Sequence, residues 1–533
     1  MQASNNRNRS DGSQGLYYQV LQEVESYSSQ HNFQPLDCLD EESKHENFPI
    51  QASHGPTYST LESSSAAAIT TYAIDNFNNS FSTNESPLSQ WDPHHSPDHT
   101  YESPIYGSSM TYDANELKQK LQELEIAMLG PDSDIIHETC DDFDASSDLE
   151  RWKLVVEIPK GDLKSALIAC ARAIEDGDLL MVEWLVTELK QMVSVSGDPI
   201  QRLGAYMMEG LIAKLASSGS SIYKSLHCKE PAGADFLSYM HILYEICPYF
   251  KFGYMSANGA IVEAVKGEDR VHIIDFQIAQ GSQWITLLQA LSARPGGPPY
   301  VRITGVDDSI SEYARGGGLK LVGRRLSMLA ESLNVPFEFH AAARSGCEVE
   351  SEHLVIRPGE ALAVNFAFQL HHMPDESVST SNHRDRILRL VKSLSPKVVT
   401  LVEQECNTNT ASFVVRFIET FDHYKAVFES LDFALPRDSK ERIGVEQHCL
   451  ARDVVNVIAC EGVERIERHE VFGKWKARFM MAGFRQCPLS SVVNATIKTL
   501  LESYCENYRL EERDGVLFLG WMDRALVVSC AWR

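Results

Sequence analysis

The stretch Val271-His272-Ile273-Ile274-Asp275-Phe276-Gln277-Ile278-Ala279-Gln280-Gly281-Ser282-Gln283-Trp284 decides how this chain is read. An apolar run ends on the single acid Asp275 and a short loop with one glycine follows. Trp284, Leu287, Leu288 and Leu291 then recur at helical spacing. Strand, ligand-facing turn and helix in that order are the grammar of nucleotide-binding α/β folds. Glycines serve such turns by allowing positive φ, close approach of backbone to phosphate or sugar, and tight helix–strand packing. Here the turn reads Asp275-x-Gln277-x-Ala279-x-Gly281, so Gln277 and Ala279 carry Cβ atoms where a dinucleotide or adenosyl-methionine binder has none. The architecture is that of a cofactor fold, and the cofactor chemistry looks removed.

Outward from this stretch, strands and helices alternate. Val271–Asp275, Tyr300–Val306, Phe337–His340, Ala361–Phe366 and Lys397–Glu403 read as strands, with helices near 282–292, 318–333, 382–393 and 410–421. Alternation at this spacing predicts an α/β fold with a doubly wound, mostly parallel sheet and helices on both faces. The apolar runs Gly515–Trp521 and Ala525–Trp532, separated by Met522-Asp523-Arg524, predict an antiparallel hairpin completing the sheet edge. From about 155 to 265 the pattern is helical throughout, with Leu163, Leu167, Cys170 and Ile174 leading into Met181, Trp184, Leu185 and Leu189. Asp198-Pro199 reads as a helix start. The leucine spacing breaks at Gly177 and at Gly197-Asp198-Pro199, which favours a helical subdomain over a dimerisation zipper. The expected organisation is a helical cap mainly at 155–265 and an α/β core mainly at 266–533.

Residues 1–154 differ in kind. The formal net charge of −26 is concentrated there: residues 1–150 hold 5 Lys/Arg against 26 Asp/Glu, and residues 151–533 hold 43 against 48. A composition rich in Ser, Asn, Gln, Asp, His and Pro cannot bury enough apolar surface to offset chain entropy, so this region reads as mostly disordered. Within it Leu117, Leu121, Leu124 and Met128 form a helical stripe over about 115–129, closed by Gly130-Pro131. Alone such a helix is marginal in water. Folding on a partner, docking on the folded part, and having no function all remain open for it. An acidic chain gains nothing from counterion release, so unaided DNA binding is disfavoured. The 12 cysteines show no C-x-x-C pair and no zinc spacing, which fits reduced, buried thiols in a nucleocytoplasmic protein. No apolar run approaches the ~18–20 residues of a membrane span, and the N-terminus lacks a secretory pattern.

From about residue 155 onward the sequence resembles the GRAS family of plant transcriptional regulators. The VHIID motif stands intact as Val271, His272, Ile273, Ile274 and Asp275, between leucine-rich regions at roughly 163–265 and 318–333. Ser395-Pro396-Lys397 through Arg468-His469-Glu470, with Phe417 and Tyr424, is similar to the PFYRE region. The final region resembles the SAW motif, with Trp475 paired with Gly483 and Trp521 with Trp532 at the family's spacings. Strings such as FQIAQGSQW and LVEQECNTNT look like the SCARECROW-like, phytochrome-A-signalling branch, and residues 1–150 contain neither DELLA nor VHYNP. The resemblance implies a methyltransferase-like core with a helical cap and no cofactor, acting as a co-regulator rather than an enzyme. Its implied partners are transcription factors and other GRAS proteins, homo- or heterodimers included. The implied setting is light signalling and stress responses, in nucleus and cytoplasm, with no membrane association.

Several residues stand out as candidates. In doubly wound sheets ligands sit at the carboxyl ends of the strands, which points to Asp275, Gln277, Gln280, Gln283, Asp307 and Asp308, with Asn365 at the end of a later strand. These describe a vestigial pocket, and the favoured role of Asp275 and the glutamines is to hydrogen-bond the loop. His371-His372, on an extended segment, would point to opposite faces and so could not easily share a metal; no metal and no catalytic residue is assigned. Arg315, Arg324, Arg325, Arg384, Arg386 and Arg389 could line a groove for nucleic acid when a partner supplies specificity, or form solvated helix faces and ion pairs. Trp475, Trp521 and Trp532 read as core aromatics.

Overall fold

The computed structural model describes residues 162–215, 233–307 and 318–533. The expected helix carrying Leu117, Leu121, Leu124 and Met128 lies outside them, as do Asp308 and Arg315.

Local signals fix the first helices. Helix α1 (Leu163–Glu175) starts where the Asp162 carboxylate accepts the Ser165 backbone N–H, and α2 (Leu179–Met192) where Asp178 accepts that of Met181. Helix α3 (Pro199–Leu215) opens with proline in its first turn, and Asp198 accepts the N–H groups of Ile200 and Gln201 at 2.9 and 3.0 Å. Gly177, at φ +74, separates α1 from α2. The leucine stripe is therefore three packed helices and not one zipper. Helices α4 (Gly233–Ile246) and α5 (Tyr249–Ala264) follow.

The core alternates as the sequence predicts: β1 (Arg270–Asp275), α6 (Ser282–Ser292), β2 (Tyr300–Asp307), α7 (Gly318–Ser332), β3 (Phe337–Ala343), β4 (Ala361–Ala367), α8 (His383–Ser393) and β5 (Val398–Gln404). Then come α9 (Phe413–Ala434), α10 (Lys440–Val445), α11 (Ala451–Ala459), α12 (Phe472–Met481), β6 (Gln486–Cys487), α13 (Ser491–Glu502), β7 (Tyr508–Arg513), β8 (Val516–Trp521) and β9 (Arg524–Trp532). The strand order is β3-β2-β1-β4-β5-β9-β8-β7, with β6 beside β9. Strands β1 to β5 are parallel, and β9, β8 and β7 run antiparallel. This is a Rossmann-type, methyltransferase-like sheet whose order reverses at β1.

Strand alternation sends side chains to two cores. Val271, Ile273, Val301 and Ile303 meet α5, α6 and α7 through residues such as Phe252, Leu287 and Leu326. Ile274, Val306, Val364 and Phe366 meet α8 and α12 through Ile387, Leu388 and Phe479.

Two expectations need correction. The C-terminal hairpin does not complete an edge: β9 lies between β5 and β8, and β7 is the outer strand. Its residues are buried from Leu526 to Trp532, apolar enough for an interior place. The cap also extends beyond 155–265, because α9 and α11 pack on α3. Arg202 of α3 ion-pairs with Asp432 at 2.7 Å and Glu446 at 3.0 Å, and Arg442 closes the cluster on Glu446. Helix α5 instead packs on β4, β5 and β9, within the core. The helix expected at 410–421 runs on to Ala434.

Candidate functional site

Register brings the first polar group together. Asp275 lies directly beside Asn365 on β4, and Asn365 beside Thr400 on β5. One Asp275 oxygen accepts the indole N–H of Trp284 at 2.7 Å. The other accepts the Asn365 amide at 3.1 Å and the Gln277 backbone N–H at 3.2 Å. Asn365 also donates to Gln283 Oε1 at 3.0 Å and accepts from Thr400 at 2.8 Å. Gln283 reaches Asn258 of α5 at 3.2 Å, and Asn258 donates to Thr286. All of these but Gln277 are buried, and none of their side-chain polar atoms lacks a hydrogen bond. Burial pushes the Asp275 carboxyl up to about 6, against the three donors that favour its charged form.

The turn keeps traces of the glycine-rich form. Gly281 caps α6 at φ +74, and a Cβ there would meet Val322 at 2.9 Å. Ala279, at φ +46, takes a left-handed conformation that glycine adopts at lower cost. Trp284, fully buried, fills the space before the acid. Gln277 and Gln280 are half-buried on the turn, and Asp307 is half-buried at the end of β2. Asp275, Gln283 and Asn365 thus come together, and the nearby Asp307 charge adds to the upward push on the Asp275 carboxyl. Hollows of about 370 and 420 Å³ lie elsewhere, against α1 and α3, and beside Glu263, Lys397 and Arg533.

His272, the other polar residue of the motif, faces the opposite core. Its Nδ1 accepts from Arg302 at 2.9 Å, which leaves Nε2–H to donate to Thr304 at 2.8 Å. Burial and the Arg302 charge hold its pKa down to about 3, so the ring is neutral. Arg302 is held in turn by Glu360.

A second buried polar group, which the sequence reading missed, lies at the carboxyl ends of β4 and β5. His371 does not sit on extended chain. Leu370–His372 form one 3-10 turn, so the rings of His371 and His372 lie 4.0 Å apart and both reach Glu467. His371 Nδ1–H donates to Glu403 Oε2 at 2.5 Å, while Glu403 Oε1 accepts the N–H groups of Gln369 and Leu370. His371 Nε2 is 3.3 Å from Glu467 Oε2, and His469 Nε2 is 3.5 Å from the same oxygen. His469 Nδ1 meets Thr408 Oγ at 3.1 Å. Burial alone would lower the His371 pKa, but Glu403 and Glu467 outweigh it and hold it up to about 10. Burial beside charged His371 keeps His469 neutral. Glu467 and His469 stand two apart, a spacing that would put both side chains on one side of an extended segment, and that signal was available in the sequence.

The arginine groove is not formed. Arg384 is fully buried and donates to the carbonyls of Met373, His371 and Arg468, with Glu470 at 3.3 Å. Arg386 ties down the carbonyls of Val349 and Cys347 and pairs with Glu350. Arg389 is exposed on α8, and Arg324 and Arg325 are exposed on α7. Helices α7 and α8 cover opposite faces of the sheet, so these side chains cannot line one surface.

Trp475, Trp521 and Trp532 are buried, as core aromatics should be. Trp532 stacks on Phe479 at 4.8 Å. Gly483 ends α12 in a Schellman motif: its N–H donates to Met480 O, Phe484 N–H donates to Phe479 O, and the two phenyl rings meet. Its φ of +91 explains why glycine stands eight residues after Trp475. Cys170, Cys247 and Cys460 are buried free thiols, and burial pushes Cys170 and Cys247 up to about 12.

With this geometry established, the GRAS domain family matches residues 163–533. The chain belongs to the GRAS domain family. It is 63% identical over 479 residues to chitin-inducible gibberellin-responsive protein 2 of Oryza sativa subsp. japonica, covering 90% of this chain and 88% of that protein. It is 65% identical over 432 residues to the Scarecrow-like transcription factor PAT1 of Arabidopsis thaliana, covering 80% and 88% respectively. The crystal structure of SCL7 from Oryza sativa superposes with a TM-score of 0.60 at 34% identity, covering 70% of this chain and 99% of that one. The chain is a GRAS, SCARECROW-like transcriptional regulator, and such relatives imply action in the nucleus. No helix among the described residues is long and apolar enough to cross a membrane.

Proposed function

We propose that this GRAS protein is a transcriptional co-regulator working through protein partners in plant light signalling of the phytochrome type, and in stress-linked signalling. Its partners are transcription factors and other GRAS proteins, as homo- or heterodimers. It moves between nucleus and cytoplasm, and DNA contact is weak or supplied by the partner. The observation that carries this reading is the closed end of β1. Trp284, Asn365 and the Gln277 backbone occupy both oxygens of Asp275, where an enzyme of this fold would present its ligand-facing acid. A scaffold remains, in a family whose relatives are named as regulators. Partner capture from plant cells, in light and dark, joined to a reporter assay with the protein tethered at a promoter, tests it. No partner and no change in transcription would sink the proposal.

One observation favours a second reading. Asp307 ends β2, half-buried, where an acid would meet a ribose diol. Calorimetry with S-adenosyl-methionine and nucleosides on wild type and Asp307→Ala separates the two: heat lost in the variant would favour nucleoside binding.

A further inference from the structure

Among the buried side chains, two polar atoms that no hydrogen bond reaches point at each other. They are Glu467 Oε2 and His469 Nε2, 3.5 Å apart, on residues only 5% and 1% exposed. His371 Nε2 completes the group, 3.3 Å from the same oxygen. Neither contact is a short hydrogen bond to Glu467 Oε2; charged His371 is held there by its charge, and neutral His469 is not. Buried polar atoms of native proteins rarely go unpaired, so two of them converging beside a third ring nitrogen call for something between them.

The spacing says what fits. Zinc binds imidazole nitrogen and carboxylate oxygen at about 2.0–2.2 Å in tetrahedral array, which sets its ligands about 3.3–3.4 Å apart. Two of the separations here match, and all three ligand atoms lie within 4.8 Å of one another. The outer contacts match as well. Metal-bound histidines commonly give their second ring N–H to a carboxylate or another oxygen. His371 Nδ1–H goes to Glu403, and His469 Nδ1 meets Thr408 Oγ. Both Nε2 atoms are thereby turned inward, and the two rings stack with centroids 4.5 Å apart. Glu403 is itself fixed by two backbone N–H groups, so the His371 ring has little freedom to turn. One carboxylate and two imidazoles, with no thiolate, select a borderline dication over magnesium or calcium. His372, a third exposed and in contact with Glu467, joins the cluster to solvent and gives an ion its way in.

We propose that His371, Glu467 and His469 form a zinc site, with His371 bound through Nε2, Glu467 through Oε2 and His469 through Nε2. The ion pins the turn after β4 to the chain that enters α12. It neutralises charge that Glu403 and Glu467 place inside the fold.

Full-length protein prepared without a chelating tag tests this by elemental analysis, cobalt exchange and thermal melting. We expect about one zinc per chain after dialysis and a tetrahedral cobalt spectrum without a thiolate charge-transfer band. Zinc added to metal-stripped protein should raise Tm by several degrees. Glu467→Gln and His469→Gln should each lose the metal and the Tm response. Metal-stripped wild type that neither binds nor responds to zinc overturns the proposal. So does zinc retained equally by both variants, which would place it on cysteines elsewhere. Should both variants fail to fold, X-ray absorption of the wild-type zinc protein decides: a nitrogen and oxygen shell with imidazole supports the site, and a sulfur shell overturns it.

Discussion

Two buried polar clusters stand at the carboxyl edge of one sheet, and they differ in completeness. Around Asp275 every amide, hydroxyl and carboxylate has a partner, mostly within neighbouring strands and the helix that follows. Around Glu467 the partners come from distant segments, and atoms are left over. A cluster that satisfies itself behaves as a strut, because removing any member leaves a buried group unpaired. A cluster with leftover atoms converging on one point still has room in its bonding for something else. In this fold the place where analogy puts a ligand, the end of β1, is the closed one, and the open one lies beyond the ends of β4 and β5.

The sharpest test of the second cluster as an integral part of the fold is Arg384→Met. It removes a buried guanidinium from three carbonyls and Glu470. Glu470 keeps Arg478 at 2.8 Å, but three buried carbonyls lose this donor, which should cost about 3–5 kcal/mol in all, read as a lower midpoint in urea unfolding. A loss under 1 kcal/mol would mean the cluster is looser than its geometry.

The first cluster is tested by pH. The Asp275 carboxyl, ordinarily near 3.8, is raised to about 6 in the fold. An acid raised in this way contributes most below its unfolded pKa, and the contribution is lost as pH climbs through the folded value. The stability difference between wild type and Asp275→Asn should therefore move against wild type by on the order of 3 kcal/mol between pH 4 and 6, then level off. A difference that stays flat across that window breaks the picture of a closed, dry strut.

Trp284→Phe keeps the ring but deletes the N–H that Asp275 accepts at 2.7 Å. It should cost about 1–3 kcal/mol, and more at pH 8 than at pH 4, where the acid is protonated. Least affected should be the Arg324→Ala, Arg325→Ala double variant. Both side chains are exposed on α7, so the melting curve should shift by no more than about 0.5 kcal/mol. The same variant sharpens the contrast between surface charge and buried charge.

These clusters also mark how far the sequence could be read. The order of β1 to β5 and the helices between them was legible because each element declares itself within a dozen residues. Val271–Asp275 is apolar, Asp198-Pro199 starts a helix, and Gly281 begins another. Asp275, Gln283 and Asn365 were legible as one group because α/β topology aligns strand ends in register. His371, Glu403 and Glu467 were not. His371 lies 32 residues from Glu403, and Thr408 lies 61 residues from His469, so no local pattern links them. The 3-10 turn at Leu370–His372 also defeated an argument that assumed extended chain. The arginines misled for a related reason: charge is visible in a sequence, but whether it faces water or a buried carbonyl depends on packing. Arg384 alone settles that, being fully buried.

The placement of β9 has a consequence for how the chain is made. It sits between β5 and β8, pairing with β5 from Val399 to Gln404. A nascent chain emerges amino end first, so β5 leaves the ribosome long before its neighbour has been translated. Throughout that interval β5 presents an open edge of apolar residues, the kind of strand that recruits other chains. Holdase chaperones should therefore be most needed while residues 405–523 are being synthesised. A stop codon placed between residues 405 and 523 should give an insoluble product, even though the five parallel strands would all be present.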